Sequence, residues 1–256
     1  MKKLWNNFKV AFAMFSKIPM PMADWNKENM KYMFCFFPMI GIVIGALSIL
    51  AAWIGTRFSF HPLFVTVIMI LISIFVTGGI HVDGLLDTSD AMSSWQERSR
   101  RLEILKDSNA GAFAVITAGV YFLLWIGSYI QMYKNLKAVC VMALVFILSR
   151  SLSGIGVVSI PKARTDGTVA EFSRNSAEKR VRIILIGYVI VLYCGMIYIQ
   201  PVYGVCASVC SILVYFYYKH MAMKYFGGTT GDLAGFFLCL CELGCACVIS
   251  IANVFC

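Results

Sequence analysis

Long runs of apolar residues, separated by short polar segments, dominate the chain from residue 33 to its end. A helix needs about 20 consecutive apolar residues to cross a bilayer, because each residue advances it by only about 1.5 Å. Seven runs approach or exceed that length. They predict membrane-spanning helices near 33–55, 61–79, 110–131, 138–160, 183–199, 201–218 and 233–254. The pattern therefore predicts an all-α fold, a polytopic integral membrane bundle of about seven helices.

The segment before the first span has a different pattern. Between Leu4 and Ser16, Phe8, Phe12 and Phe15 recur at helical spacing among polar residues. The segment lacks the continuous apolar core and the small-residue cleavage site of a signal peptide. We therefore expect an N-terminal amphipathic helix that lies on the membrane surface.

The distribution of positive charge predicts the orientation of the spans. Eighteen of the 22 Lys and Arg residues fall before the first span or in the loops after the second, fourth and sixth. Loops rich in Lys and Arg usually stay in the cytoplasm, so the net charge of +9 requires no nucleic-acid partner. We expect one integral membrane domain over 1–256 in the bacterial cytoplasmic (inner) membrane. Its polar loops 80–109, 161–182 and 219–232 would face the cytoplasm, and the active site with them.

The composition supports this class of protein and narrows the metal chemistry. Hydrophobic residues make up 60% of the chain, charged residues 14%, and the mean hydropathy is +0.78. A soluble domain would carry about 25% charged residues. The ten cysteines include no Cys-x-x-Cys pair and the three histidines are dispersed. We interpret the cysteines as small apolar residues and expect no zinc site.

Acidic residues are rare, yet three of them gather in one short segment. Only 13 of the 256 residues are Asp or Glu, but Asp83, Asp87 and Asp90 fall within eight positions. In a helix, steps of four and three residues place these carboxylates within an arc of roughly 60°. A divalent cation relieves their repulsion, and Mg²⁺ favours oxygen ligands that it shares with water and phosphates. The segment therefore predicts a Mg²⁺ site for phosphate chemistry.

Two other polar segments are candidates for binding an anionic substrate. Glycines at 78, 79 and 84 flank the acids and permit close approach of the backbone to a ligand, and a basic run follows at 98–107. A solvated juxtamembrane loop is the alternative interpretation of that run. Residues 226–232 read Phe-Gly-Gly-Thr-Thr-Gly-Asp and lead into the last span, where a helix N-terminus favours an anion. Simple capping of that span by Asp232 is the alternative, and Asp107 or Ser108 is expected to cap the third span.

Two charged residues lie inside predicted spans. Arg150 and Glu242 are each about ten residues from the cytoplasmic end of their span. A charge at the centre of a membrane helix costs roughly 2.5–3.5 kcal/mol on insertion scales. Because the two residues lie at similar depth, we predict either that they pair or that Arg150 faces a substrate anion. A purely structural ion pair is the alternative to a role in function.

Several of these segments together resemble one family. Residues 78–91 read Gly-Gly-Ile-His-Val-Asp-Gly-Leu-Leu-Asp-Thr-Ser-Asp-Ala, and residues 102–108 read Leu-Glu-Ile-Leu-Lys-Asp-Ser. Gly-Thr-Thr-Gly-Asp at 228–232, Ser-Lys-Ile-Pro at 16–19 and Phe-Pro-Met-Ile-Gly at 37–41 extend the match over nearly the whole chain. The chain thus resembles the cobalamin synthases, also called adenosylcobinamide-GDP ribazoletransferases. Ala114, where glycine is expected, and the order Leu-Ala-Gly at 233–235 depart from the family pattern and concern packing.

The resemblance implies a Mg²⁺-dependent membrane transferase of cobalamin biosynthesis. Such an enzyme joins adenosylcobinamide-GDP to α-ribazole, or to its 5′-phosphate, and releases GMP. The residues that carry over are the acids Asp83, Asp87 and Asp90, the adjacent His81 and Asp107, and Thr230, Gly231 and Asp232 of the C-terminal motif.

The same resemblance suggests roles for these residues. Asp83, Asp87 and Asp90 would hold Mg²⁺ against the diphosphate, because phosphoryl transfer depends mainly on positioning and charge neutralisation. His81, or one of the acids, would take the proton of the ribazole hydroxyl. The remaining phosphate charge would be met by Arg98, Arg101, Lys106 or Arg150.

Two other functions compete with this interpretation. Enzymes that transfer a CDP-activated lipid to an alcohol also place spaced aspartates at a membrane surface, but their Asp-Gly-x-x-Ala-Arg continuation is missing after Asp83. A transporter would use charges such as Arg150 and Glu242 inside spans, but the acids here cluster in a loop and broken-helix repeats are not evident. Association into a homo-oligomer or with other corrinoid-pathway enzymes stays open, as does the number of metal ions.

Overall fold

The computed structural model describes residues 2–26, 30–164 and 176–256. Within them, ten α-helices and one π-helical turn follow one another along the chain. They are α1 (Lys2–Phe15), α2 (Met33–Arg57), α3 (Pro62–Thr77), α4 (Ile80–Ser93), α5 (Arg98–Ile104), α6 (Ala112–Met132), α7 (Leu136–Ser159), α8 (Glu178–Ile199), α9 (Pro201–Met221), the π-turn (Ala222–Phe226) and α10 (Gly231–Phe255).

Six of these helices are long and apolar enough to cross a membrane: α2, α6, α7, α8, α10, and α9 with the π-turn. The break between the fifth and sixth predicted spans is confirmed, because α8 ends at Ile199 and α9 begins at Pro201. The predicted polytopic helical bundle is thus confirmed. The second predicted span, at 61–79, corresponds to α3, which has only 16 residues and passes the same test only together with α4; the number of spans is seven if this bent pair counts as one.

A sharp bend of 92° separates α3 from α4. Gly78 and Gly79 form it, with φ of 67° and 78°, a left-handed conformation that side chains disfavour. The two glycines therefore turn the chain, and both also line the cavity of about 550 Å³ beside Asp83. Because the acidic α4 leaves the axis of α3 at nearly a right angle, we treat α4 as lying outside the spans.

Two of the three predicted cytoplasmic loops, 80–109 and 219–232, are mostly helical. Residues 80–109 contain α4 and α5, and the predicted loop 219–232 shrinks to residues 227–230 between the π-turn and α10. The predicted loop 161–182 is described only at 161–164 and at 176–182, where α8 begins at Glu178. Residues 165–175 of this loop lie outside the described residues. Two of the basic residues that were used to predict the orientation, Arg174 in this loop and Lys27 near the N-terminus, lie outside them too.

The core is built around α7 and α10, which pack against each other. Helix α7 also contacts α2 and α8, while α10 contacts α4, α6 and α9. Helix α1 packs on α2, where the Phe15 and Phe37 ring centroids lie 4.4 Å apart. Helix α1 is confirmed as a helix, and its Phe12 and Phe15 rings are buried against the protein; its position on the membrane surface stays a prediction.

Candidate functional site

The acidic helix α4 lies in direct contact with the first turns of α10. A side chain at Gly84 would come within 2.6 Å of the Asp232 carbonyl oxygen, and one at Gly235 within 3.2 Å of the His81 carbonyl oxygen. Both positions need glycine because the two helix backbones touch there. This contact brings the Asp-x-x-x-Asp segment and the C-terminal Thr-Gly-Asp motif, some 150 residues apart, into one site.

Four neighbouring carboxylates act on Asp87 in this site. Partial burial, and then the negative charges of Asp83, Asp232, Asp90 and Asp107 in that order, raise the pKa of Asp87 to about 7. The effect of like charges on Asp87 is the repulsion that the spacing in the sequence predicted. Asp83 is exposed and Asp87 half-buried, so solvent reaches both carboxylates.

Asp90 has a structural task that the sequence did not suggest. Its Oδ2 accepts from the Gly111 amide at 2.5 Å, and its Oδ1 accepts from the Ala114 amide at 2.9 Å. These are amides at the N-terminus of α6, which a carboxylate stabilises by hydrogen bonding and through the helix dipole. The expected cap from Asp107 or Ser108 is therefore wrong. Asp107 instead accepts from the backbone and side chain of Asn109, and these bonds lower the pKa of Asp107.

The N-terminus of α10 is capped by Thr230. Its Oγ1 accepts from the Leu233 amide at 3.2 Å, so the alternative that Asp232 is a simple cap is wrong. The Asp232 carboxylate lies 3.4 Å from the Thr230 hydroxyl, which donates to it, and 3.6 Å from Nη2 of Arg164. Gly231 is exposed beside it. Asp232 thus joins the acidic cluster, with one guanidinium as counter-charge.

His81 is buried beneath this cluster, with 8% of its surface exposed. Its ring lies 5.8 Å from that of Phe37, and its Nε2 has no hydrogen-bond partner among the described residues. Burial, and then the positive charge of Arg150, lower the pKa of His81 to about 3. A general base works best with a pKa near the working pH. The structure therefore favours an acid over His81 for that role.

The predicted phosphate-binding side chains fall into different environments. Arg101 is buried with its guanidinium 4.9 Å from the centre of the Tyr225 ring, which anchors α5 to the π-turn. Arg98 lies against Gly227, where any side chain would collide with the guanidinium. Arg98 and Lys106 are exposed. Arg98 therefore lies at the loop before α10, while Arg101 serves packing there.

Arg150 and Glu242 form the predicted ion pair. Nη1 of Arg150 lies 2.7 Å from Oε1 of Glu242, and both side chains are almost wholly buried. The same Glu242 oxygen accepts from the Ser149 hydroxyl at 2.7 Å. The pairing prediction is confirmed. Arg150 has no exposed surface, so a direct contact with a substrate anion stays a prediction.

Two cavities meet at Asp83, and the sequence indicated neither of them. The larger, about 550 Å³, also contains Lys17, whose side chain packs over Gly78 while its backbone amide donates to the Val76 carbonyl at 2.8 Å. The smaller, about 110 Å³, extends inward between aromatic rings and also borders Asp232. Lys17 could have been found in the sequence only as part of the Ser-Lys-Ile-Pro segment, which carries no chemical signal of its own.

The acidic cluster fits Mg²⁺ better than it fits a metal ion whose ligands all come from the protein. Among the described residues, no three His, Cys, Asp or Glu side chains converge to hold a metal ion by themselves. Mg²⁺ is usually bound by one or two carboxylates, with water and substrate phosphates completing its shell. Asp83 and Asp87 supply such oxygen donors, and their repulsion is what a cation would relieve. Both oxygens of Asp90 already accept helix amides, which weakens its case as a third ligand.

The fold and site together define a multi-pass helical membrane protein with an acidic, solvent-accessible cluster at the end of a bent helix. The family model for cobalamin-5-phosphate synthase matches residues 7–250. The chain belongs to that family.

Its relatives match along almost their whole length. A protein of Lachnoclostridium phytofermentans named adenosylcobinamide-GDP ribazoletransferase is 42% identical over 251 residues, which cover 98% of this chain and 95% of the relative. Proteins with the same name from Desulfitobacterium hafniense and Geobacillus kaustophilus are each 30% identical, over 250 and 241 residues. These alignments cover 95% and 92% of this chain, and 94% and 91% of the relatives. No solved structure matches the chain.

Proposed function

We propose that the protein transfers the adenosylcobinamide phosphate of adenosylcobinamide-GDP to α-ribazole, or to its 5′-phosphate, and releases GMP. Membership of the family and the name shared by its relatives support this reaction. The observation that carries it in this chain is the acidic cluster of Asp83, Asp87 and Asp232, in which Asp83 borders both cavities and Asp232 the smaller one.

In the proposed step, the ribazole hydroxyl oxygen forms a bond to the β-phosphorus, the one attached to the cobinamide. The bond from that phosphorus to the oxygen bridging the two phosphates breaks, and GMP leaves with the electron pair. Asp83 and Asp87 would hold Mg²⁺, which when bound neutralises the diphosphate charge. Lys17 and Arg98 are the exposed cations that we assign to the remaining phosphate oxygens.

The hydroxyl proton has to leave as the new bond forms. His81 suits this role poorly, because it is buried and its pKa is lowered to about 3. A carboxylate that binds the cation is not free to act as the base at the same moment, which sets aside Asp83 and Asp87. We therefore assign the proton to Asp232, which lines the smaller cavity together with Asp83.

We also propose that this chemistry takes place on the cytoplasmic side of the bacterial inner membrane. The charge distribution of the sequence supports this side, because the loop that contains the acidic helix is one of the segments rich in Lys and Arg. Cytosolic Mg²⁺ and nucleotide would then reach the site directly.

The test is GMP release by membranes that contain the protein, with both substrates and either Mg²⁺ or EDTA. Mg²⁺-dependent release of GMP together with a cobalamin product is the expected result. A matched control is Glu103→Gln, which removes an exposed acid that pairs with Arg100 on α5 and should leave turnover unchanged. If folded protein releases no GMP, the proposed reaction is wrong, and a CDP-activated lipid donor becomes the next substrate to try.

A further inference from the structure

Residues 161–164 lie alongside the loop before α10 and are fixed to it by backbone hydrogen bonds. The Ala163 amide donates to the Thr229 carbonyl at 3.0 Å, and the Thr229 amide donates to the Pro161 carbonyl at 2.7 Å. Gly228 permits this close approach, because a side chain at that position would collide with the Pro161 carbonyl oxygen. The first glycine of the Gly-Thr-Thr-Gly-Asp motif therefore lets residues 161–164 pack beside the acidic cluster.

The Lys162 side chain also stabilises this segment. Its Nζ donates to the carbonyls of Val157 and Ile160 at the C-terminal end of α7. A lysine at that end of a helix also interacts favourably with the helix dipole. The segment is therefore held by its backbone and by Lys162, and the Arg164 guanidinium is not needed to hold it.

Arg164, the last residue of this segment, places its guanidinium beside the acidic cluster. Its Nη2 lies 3.6 Å from Oδ2 of Asp232, and only 16% of the side chain is exposed. A charge-assisted hydrogen bond is about 2.7–2.9 Å long, so this contact leaves the donors of the guanidinium available to another oxygen. A guanidinium that is largely shielded from water and loosely paired is suited to a phosphate, whose oxygens match its fork of donors.

The contact with Asp232 relates Arg164 to the proposed reaction. Asp232 is the group to which we assign the hydroxyl proton, and a general base lies about 2.6–3.2 Å from the oxygen whose proton it takes. That oxygen attacks the β-phosphorus, so the oxygens of the transferred phosphoryl group come close to Asp232 as well. Asp83 and Asp87, to which we assign Mg²⁺, belong to α4. Arg164 thus offers the phosphoryl group a positive charge from a different part of the fold.

We propose that Arg164 is a catalytic residue that binds an oxygen of the transferred phosphoryl group in the transition state. The inference rests on the proposed function and adds a residue that the sequence did not single out. As the ribazole oxygen bonds to the phosphorus, the bond to the bridging oxygen breaks, GMP leaves with the electron pair, and Asp232 receives the proton. Charge in such a transition state is spread over the phosphoryl oxygens, where a positioned guanidinium stabilises it.

The test compares GMP release by Arg164→Gln and by Arg100→Gln. Arg100 is the matched control, because it also pairs with a carboxylate, that of Glu103 at 2.7 Å, but its side chain is 62% exposed on α5. Loss of one donor to a transition-state oxygen typically lowers kcat by about 100- to 1000-fold. We expect a loss of about this size in Arg164→Gln, with the KM of each substrate changed less than about threefold. Arg100→Gln should keep kcat within about twofold of the wild type.

Two further variants separate a direct role of Arg164 from a structural one. Lysine keeps the charge but not the fork of donors, so Arg164→Lys should lose less kcat than Arg164→Gln, about 10- to 100-fold. If Arg164 only positioned Asp232, adding Arg164→Gln to Asp232→Asn would cost nothing more. Direct binding of the phosphoryl group predicts a further loss of at least about tenfold in that background, measured in single turnovers.

Three results would overturn the assignment. Unchanged kcat in Arg164→Gln would remove Arg164 from the reaction, and a rise in a KM alone would limit it to substrate binding. No further loss in the Asp232→Asn background would make it a positioning residue. Thermal unfolding checks that each variant is folded; if Arg164→Gln is not, wild-type kcat in Arg164→Lys would overturn the assignment equally. Absence of GMP release by the wild-type protein would refute the proposed function instead, so the two failures are distinguishable.

Discussion

The ion pair between Arg150 and Glu242 allows a quantitative prediction about stability. Replacing Glu242 by Gln leaves the Arg150 guanidinium buried and uncompensated, because its Nε and Nη2 have no other partner among the described residues. Breaking a buried pair by removing one partner typically costs about 3–5 kcal/mol, and an isolated charge at the centre of a membrane helix costs roughly 2.5–3.5 kcal/mol on insertion scales. The two estimates agree, so we expect Glu242→Gln to destabilise the fold by about 3–4 kcal/mol.

The double variant Arg150→Met, Glu242→Gln allows the interaction between the two charges to be measured apart from their other contacts. Removing both charges leaves no unpaired ion, and replacement of a buried pair by apolar groups is often neutral. We therefore expect the double variant to be more stable than Glu242→Gln alone, with a coupling energy of at least about 2 kcal/mol. The measurement is unfolding in mixed detergent micelles for the wild type, both single variants and the double variant.

A matched control addresses the hydroxyl groups near the pair. Ser149→Ala removes a bond to the charged Glu242 and should cost about 1.5–3 kcal/mol, whereas Ser250→Ala, on α10 but with only the Cys247 carbonyl as acceptor, should cost about 1 kcal/mol or less. Additive effects of the Arg150 and Glu242 substitutions, within about 0.5 kcal/mol, would show that the two charges do not stabilise each other.

Three further predictions concern the acidic cluster. Asp87→Asn should reduce GMP release at least about 1000-fold (~4 kcal/mol of lost transition-state stabilisation) without lowering the unfolding midpoint, because it removes a repelled charge. Asp90→Ala should destabilise the protein by about 1 kcal/mol through loss of the α6 cap, while Asp90→Asn, which keeps one acceptor, should retain turnover within about tenfold of the wild type. Without Mg²⁺, the unfolding midpoint should fall as the pH rises from about 4 through about 7, because the raised pKa of Asp87 means that the fold disfavours its ionised form.

Each of these predictions has a result that contradicts it. Wild-type turnover by Asp87→Asn would remove Asp87 from the site. If Asp90→Asn lost Mg²⁺-dependent turnover while its stability was unchanged, Asp90 would be a metal ligand, as the sequence predicted. Its main role would then not be to cap α6. The pH dependence should be flatter in Asp87→Asn. An identical pH profile in that variant would assign the titration to another group.

The spacing of residues along the chain was enough to predict those features that depend on one helix at a time. The apolar runs predicted the spans because a helix has to be about 20 residues long to cross a bilayer. Asp83 and Asp87 were placed on one face because four residues make about one turn. Arg150 and Glu242 were predicted to pair because two buried charges at the same depth cost less together than apart.

The remaining features depend on contacts between segments that are distant in the sequence, which local periodicity does not encode. The cap that Asp90 forms on α6 depends on the position of Gly111 and Ala114, and Asp232 joined the cluster because Gly84 lets two helix backbones touch. The smaller cavity is lined by residues of α1, α2, α4, α7 and α10. The sequence by itself determined the membrane-spanning helices and the acidic face. Only the packing of those helices decided which carboxylates meet and where the cavities lie, because a cavity exists only between elements.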